Sequence, residues 1–230
     1  MEIGLSGDLL VREERLSLRQ DACRVLYVSD IHLRRSRSEN LCRQVLAAVD
    51  RSAPDVVLLG GDMIDTPSEL GKLCELVTRL RESAPVLAIG GNHDSHVGIA
   101  AVQDAVERGG GQWIHDGTFR LLNHSRWIAI SGPGATGQPE SDIRILCGHH
   151  PRIWKTARHS GFDLVLAGHL HGCQIVAFEF SGCLFPGAVF YPYCCLRQQS
   201  GSARLVVSRG VSDLVPIRWC CPREVVLCHV

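Results

Sequence analysis

Short apolar runs alternate with amphipathic stretches through the first half of the chain. Residues 24–29 (RVLYVS), 55–59 (DVVLL) and 85–89 (PVLAI) are brief and rich in branched aliphatics. Runs that are apolar throughout, not alternating, predict strands buried on both faces. Between them the apolar positions take a helical step. Leu41, Val45 and Val49 lie four apart and predict a helix over 40–52. Leu73, Leu76, Val77 and Leu80 share one face of a helix over 68–83. A third helix is predicted over 97–108, ended by Gly109-Gly110-Gly111. The second half is richer in strands, at 118–122, 127–131, 143–147, 164–167, 174–179, 204–208 and 224–228, with a short helix over 152–159. Strand–helix–strand units imply parallel pairing with right-handed crossovers. A strand-rich second half implies a second sheet packed on the first. The expected fold class is α/β, a layered α-β-β-α sandwich with two mixed sheets between helices. One domain over residues 1–230 suits the length.

Composition changes the picture in three ways. Lys+Arg and Asp+Glu are 24 each, so neither nucleic acid nor an acidic membrane is expected to attract the chain by bulk charge. No apolar stretch reaches the length of a spanning helix. The first twenty residues carry Asp8, Glu13 and Glu14 without a long apolar segment, so they are not read as a secretory signal. The expected location is cytoplasmic, with a position peripheral to the membrane as the alternative. Third, the chain has 11 cysteines, an odd number without a CxxC. They are read as small buried hydrophobes, not a disulfide framework, and the adjacent pairs Cys194–Cys195 and Cys220–Cys221 receive no role.

Five short polar motifs follow the apolar runs directly. They are Asp30-Ile31-His32, Gly61-Asp62, Gly91-Asn92-His93-Asp94, Gly148-His149-His150-Pro151 and Gly168-His169-Leu170-His171-Gly172. The carboxyl ends of strands in an open α/β sheet converge on one crevice, so these motifs are expected to meet. Carboxylate, imidazole and amide donors suit manganese, iron or zinc better than calcium or a thiolate-bound zinc. In Asp30-x-His32 and His169-x-His171 an extended backbone would turn both side chains to one face. Asp30, His32, Asp62, Asn92, His149, His169 and His171 are seven candidate donors. One ion cannot use seven, but two ions sharing a carboxylate can.

The order DxH, GD, GNHD, H, GHxH resembles the calcineurin-like metallophosphoesterase superfamily. The later segments GHLHGCQ, LFPG, VSRG and PIRWCCPREVVL resemble its bacterial YkuE/YaeI-type branch. The resemblance implies that Asp30, His32 and His171 hold one metal, Asn92, His149 and His169 a second, and that Asp62 bridges them. His149 is preferred to His150 because the family's ligand stands two positions before the proline, here Pro151. Two divalent ions are implied, manganese first and iron or zinc as alternatives. They would present a bridging hydroxide in line with phosphorus, with His93 as general acid and Asp94 orienting it. The implied substrate is a small phosphoester, a phosphodiester in the first instance. Two rivals are a lipid-linked nucleotide pyrophosphatase at the membrane face and a non-catalytic binding scaffold. An apolar cap would mark the former. The one candidate, 97–137 with Trp113, Ile114, Trp127 and Ile128, is read as core filling.

The remaining polar residues receive plainer readings. His150 is a neighbour of the ligands, and Asp65 a turn or helix-entry residue. Arg34, Arg35 and Arg37 are a solvated loop, with contact to an anionic substrate as the alternative. Cys147 and Cys173 are packing thiols. Cys173 stands where the branch usually has glycine, and Val211-Ser212 replaces a glycine-rich continuation. Gly61-Asp62-Met63-Ile64-Asp65 lacks both the arginine of protein Ser/Thr phosphatases and the tyrosine of purple acid phosphatases.

Overall fold

The apolar runs become the centres of two six-stranded sheets. The computed structural model describes residues 2–3, 7–137, 139–213, 215 and 217–230. The first sheet runs in the order Leu10–Arg15, Glu224–His229, Arg24–Val28, Val56–Leu59, Val86–Ala88 and Gln112–Trp113. From Arg24–Val28 onward its strands are parallel, and Glu224–His229 lies antiparallel beside them. The second sheet runs Arg197–Ser200, Ala203–Val207, Leu164–Ala167, Ile143–Cys147, Arg126–Ser131 and Thr118–Asn123. Its inner strands are parallel and its two edges antiparallel.

Successive strand residues serve opposite layers. Val25, Tyr27 and Leu58 face the second sheet and meet Ile130, Ile145 and Leu166 there. Leu26, Val28 and Leu59 face the other way, onto Leu41 and Val45 of helix Ser38–Ser52 and Leu73 and Leu76 of helix Leu70–Arg81. Beyond the second sheet, Val165 and Leu205 pack under Trp154 of the short helix Trp154–Ala157. The result is the expected α-β-β-α layering. Each such buried side chain contributes about 1.5–3 kcal/mol, and Leu58→Asp, a charge between the sheets, would break the stack. Among the described residues no helix is long and apolar enough to cross a membrane.

Local outcomes differ from the sequence reading at four places. The helix expected over 97–108 is Ile99–Arg108, and a further helix, Asn92–Val97, precedes it across Gly98 at φ 115°. Residues 92–97 lack an apolar stripe; their helix is started by the Asp94 carboxylate, which accepts from the Gly91 N–H at 2.9 Å. The edge strands Leu10–Arg15 and Arg197–Ser200 are hidden in the sequence by their polar side chains, which suit an edge facing water. Val176–Phe180 joins Cys183–Pro186 in a separate two-stranded hairpin outside both main sheets. Finally, Cys173 is no packing thiol: it forms a disulfide with Cys194. Gly187 makes room, since a Cβ there would lie 2.5 and 2.6 Å from the two sulfurs. Cys147 is a fully buried packing thiol as expected. Trp113, Ile114 and Ile128 fill the core, while Trp127 is 42% exposed.

Candidate metal centre

The parallel strands of both sheets deliver their polar ends to one place. Asp30 follows Arg24–Val28, Asp62 follows Val56–Leu59, and Asn92 opens the helix after Val86–Ala88. His149 and His169 follow Ile143–Cys147 and Leu164–Ala167. The backbone there is not extended. Asp30, His32, Asp62, His169 and His171 all have φ between 50° and 72°, so the DxH and HxH pairs converge through left-handed turns, not through strand alternation. Such conformations cost about 1–3 kcal/mol each for a non-glycine residue and persist only where neighbours over-determine them. The Asp30 N–H donates to Gly61 O at 3.0 Å and the His32 N–H to Asp62 O at 3.0 Å, locking the first two loops together. Two glycines let the loops touch. A Cβ on Gly91 would lie 2.2 Å from Asp62 Oδ1, and one on Gly168 would lie 2.4 Å from Asp30 Oδ2.

Two groups of the expected donors result, and a third cluster, His32, Asp65 and His93, shares His32 with the first. Asp30, His32 and His171 form one, with His171 Nε2 3.7 Å from Asp30 Oδ1. Asp62, His149 and His169 form the other, joined by Asn92. In the second group His149 Nε2 lies 3.2 Å from Asp62 Oδ2, 3.1 Å from Asn92 Oδ1 and 3.1 Å from His169 Nδ1. Asp62 also stands between the groups, its Oδ2 3.9 Å from His32 Nε2. All seven donors named from the sequence are thus brought together.

Hydrogen bonds on the far side of three of the four rings engage Nδ1, while His169 turns its Nδ1 inward to His149 Nε2 at 3.1 Å. His32 Nδ1 lies 2.7 Å from Asp65 Oδ1, His149 Nδ1 3.0 Å from Gly60 O, and His171 Nδ1 2.9 Å from Ser212 O. Each Nδ1–H is therefore engaged, which leaves the Nε2 lone pair for the interior, the usual arrangement behind a metal-binding histidine. His32 Nε2 is buried with no hydrogen-bond partner among the described residues. The electrostatics are those of the metal-free site, where a proton on His149 stands in for a cation. Burial opposes charge on Asp30, yet His171, His149 and His32 hold its carboxyl below the usual range. On Asp62 burial is outweighed by the His149 hydrogen bond, and the carboxyl falls to about 2. Burial of His149 disfavours its cation, but Asp62 and Asp30 raise it to about 9. A buried set of carboxylates and aimed lone pairs, one of them orphaned, fits divalent metal ions.

His93 stands beside these groups, its ring edge-on to His32 at 4.6 Å between centroids. Here the structure overturns an expected contact. Asp94 does not orient His93. Its buried carboxylate accepts from the N–H groups of Gly91, Met63 and Ile64 and braces the GD loop. Burial raises it to about 6 against those three bonds. His93 Nδ1 instead lies 3.0 Å from Asp65 Oδ1, the same oxygen that faces His32 Nδ1. Asp65, read as a turn residue, is thus part of the site. Its signal was its place three positions after Asp62, at the tip of the same strand-end loop. Arg34 Nε lies 3.3 Å from Asp65 Oδ2, so this arginine faces the site and is not merely solvated. Asp213 was also missed. It receives His171 Nδ1 at 3.0 Å and is gripped by Arg218 at 2.6 and 2.8 Å. It follows the strand Ala203–Val207, and the strand-end rule applied there would have found it. His150 stacks at 4.4 Å on His169 while its Nδ1 accepts from the Arg152 N–H.

The chain is similar to known proteins. The family model for the calcineurin-like phosphoesterases matches residues 23–173. The chain is 26% identical over 218 residues to phosphodiesterase YaeI of Escherichia coli, covering 89% of this chain and 80% of that one. It is 28% identical to the uncharacterized metallophosphoesterase Cj0846 of Campylobacter jejuni, over 90% of this chain but 59% of the relative's length. Among solved structures, TT1561 of Thermus thermophilus superimposes with a TM-score of 0.56 at 11% identity, covering 84% and 91% of the two chains. A dimetal phosphatase from Danio rerio does so with a TM-score of 0.51 at 10% identity, covering 85% and 88%. The converging donors and the matched span, which includes all five motifs, agree: this chain belongs to the calcineurin-like phosphoesterase family and is a metal-dependent phosphoester hydrolase.

Proposed function

We propose that the chain hydrolyses phosphodiesters at this centre, with manganese as its preferred metal. The observation that carries the proposal is the convergence of seven metal-donor side chains beside His93, which is tethered to Asp65 and clusters with Asp65 and His32 at the edge of the two sets. Asp30, His32 and His171 would hold one ion and Asn92, His149 and His169 the other, with Asp62 available to both. Bound divalent ions supply Lewis acidity to phosphate oxygens and lower the pKa of water. The chain's own residues do the rest. Nδ1 of His93 donates to Asp65, so the proton that His93 can transfer sits on Nε2. That proton goes to the oxygen of the departing group, which leaves as a neutral alcohol. A positioned general acid of this kind contributes about 10²–10⁴-fold. Asp65 fixes the orientation of the ring. Its own carboxyl is disfavoured by burial but held low by His32, His93 and Arg34, so it remains an acceptor at neutral pH. Asp213 and Ser212 hold His171 from behind, as Gly60 holds His149.

The relative named a phosphodiesterase supports the diester reading. The test is hydrolysis of bis(p-nitrophenyl) phosphate by protein loaded with manganese, zinc or iron. Turnover highest with manganese, and abolished in Asp62→Ala, is expected. Turnover that survives exhaustive chelation, or an Asp62→Ala variant that works as well as the wild type, would overturn the proposal.

A further inference from the structure

A broad apolar surface lies next to the metal centre, outside the region where the sequence had suggested a cap. Ile175, Phe178, Phe180, Phe190, Val215 and Trp219 are between 50% and 76% exposed. They belong to neighbouring pieces of chain. The hairpin Val176–Phe180/Cys183–Pro186 is followed directly by the short helix Gly187–Phe190. The root of the hairpin is laced to Val215 and Trp219: the Val176 N–H donates to Trp219 O at 2.9 Å, the Trp219 N–H to Gln174 O at 2.9 Å, and Gln174 Nε2 to Val215 O at 2.7 Å. Cross-strand register sets Phe178 opposite Phe185 and Phe180 opposite Cys183, so these rings share one face. The rings of Phe178 and Phe185 stack at 4.9 Å. Glu179 pairs with Leu184 and points to the other face. Leu184 there joins Val176, Cys194 and Leu196 in a small core of its own. The hairpin is therefore anchored by one face and presents aromatic rings to solvent on the other.

The border of this surface is basic. Arg37 Nη1 and Arg34 Nη2 donate to the carbonyl of Asp213 at 3.0 and 3.4 Å, two residues before Val215, and exposed Arg35 lies on the same loop. Large exposed apolar patches mark interaction sites. Inserted aliphatic and phenyl groups, a Trp at the rim and guanidinium groups beside them match the acyl, interfacial and phosphate layers of an anionic bilayer. The chain carries no net charge, so such attraction must be local to this loop. The segments that carry this surface begin at residues of the metal centre. His171 opens the turn that leads to Gln174, and Asp213 lies between His171 and Val215 in the contact chain.

We propose that this surface docks the protein on an anionic phospholipid bilayer, with the 176–186 hairpin inserted and the 34–37 loop against the headgroups. The test is co-sedimentation of the full chain with vesicles of phosphatidylcholine plus phosphatidylglycerol, against vesicles of phosphatidylcholine alone. Binding to the anionic vesicles is expected, with a fluorescence blue shift that Trp219→Phe removes. Phe178→Ser with Phe180→Ser should weaken binding about tenfold or more, from the apolar area no longer inserted. Arg35→Glu should weaken it on anionic vesicles. Unchanged melting temperatures establish that the variants are folded, and the single Phe190→Ser change serves if the double variant is not. Absent vesicle binding, equal binding to neutral vesicles, or binding that survives the phenylalanine substitutions would each overturn the proposal. So would a dimer in solution that the same substitutions dissolve, which would assign the surface to a second copy of the chain.

Discussion

Asp65→Ala removes one carboxylate oxygen that faces His32 Nδ1 at 2.7 Å and His93 Nδ1 at 3.0 Å. Hydrogen bonds to a charged group are worth about 1.5–3 kcal/mol each. His32 is buried and loses its acceptor outright. The His93 side chain is 25% exposed, so water replaces part of what it loses. Together the loss is roughly 3–4 kcal/mol, or two to three powers of ten in kcat/KM. The leaving group separates the two contributions. If His93 protonates the departing oxygen, a phenyl diester suffers more from the substitution than a p-nitrophenyl diester, whose leaving group needs little protonation. Asp65→Asn keeps an oxygen acceptor without the charge and should recover part of the rate. The assay is steady-state hydrolysis of both diesters by manganese-loaded protein. Equal losses on the two substrates would place Asp65 behind His32 alone and refute its role at His93. Asp94→Ala makes the contrast: it removes the acceptor of three backbone N–H groups, so it should lower the melting temperature as well as activity.

Metal and proton compete for His149, which gives a signed pH dependence. In metal-free protein the raised His149 contributes stability that is complete below its ordinary 6.5 and is lost as pH rises through about 9. Asp62 contributes stability that is complete above 3.8 and lost as pH falls through about 2. The melting temperature of chelated protein should therefore fall between pH 6.5 and 9, and manganese should raise it and remove that fall; a flat metal-free profile would contradict the assignment. Gly91→Ala should push Asp62 aside, since a Cβ would lie 2.2 Å from its Oδ1. A displacement near 1 Å costs about 10²-fold in rate, so activity should collapse with little change in helix content by circular dichroism. Reducing Cys173–Cys194, which spans 21 positions, should cost roughly 3 kcal/mol and lower the melting temperature by about 6–12 °C. Intact-mass measurement after thiol alkylation checks that this bond is present.

Much of the architecture was legible because it depends on local patterns. Apolar runs such as 55–59 and 164–167 become buried strands wherever two layers cover them. The four-residue step of Leu41, Val45 and Val49 becomes a buried helix face. Strand ends then gather the five motifs, so all seven donors could be named before their contacts were known. Other features depend on which loops come to lie against each other. The spacing in Asp30-x-His32 suggested an extended segment, but hydrogen bonds to Gly61 and Asp62 hold both residues in left-handed turns. Asp94 is the acid next to His93 in the chain, yet three backbone N–H groups claim it, and Asp65 from another loop takes its place. The Cys173–Cys194 bond and the apolar surface around Phe178 and Trp219 likewise arise from the hairpin's position outside the main sheets. Hydrophobic periodicity encodes which side of an element leaves water. It carries no record of which distant polar group will satisfy a given donor, because that choice is made by distance and direction in the folded chain.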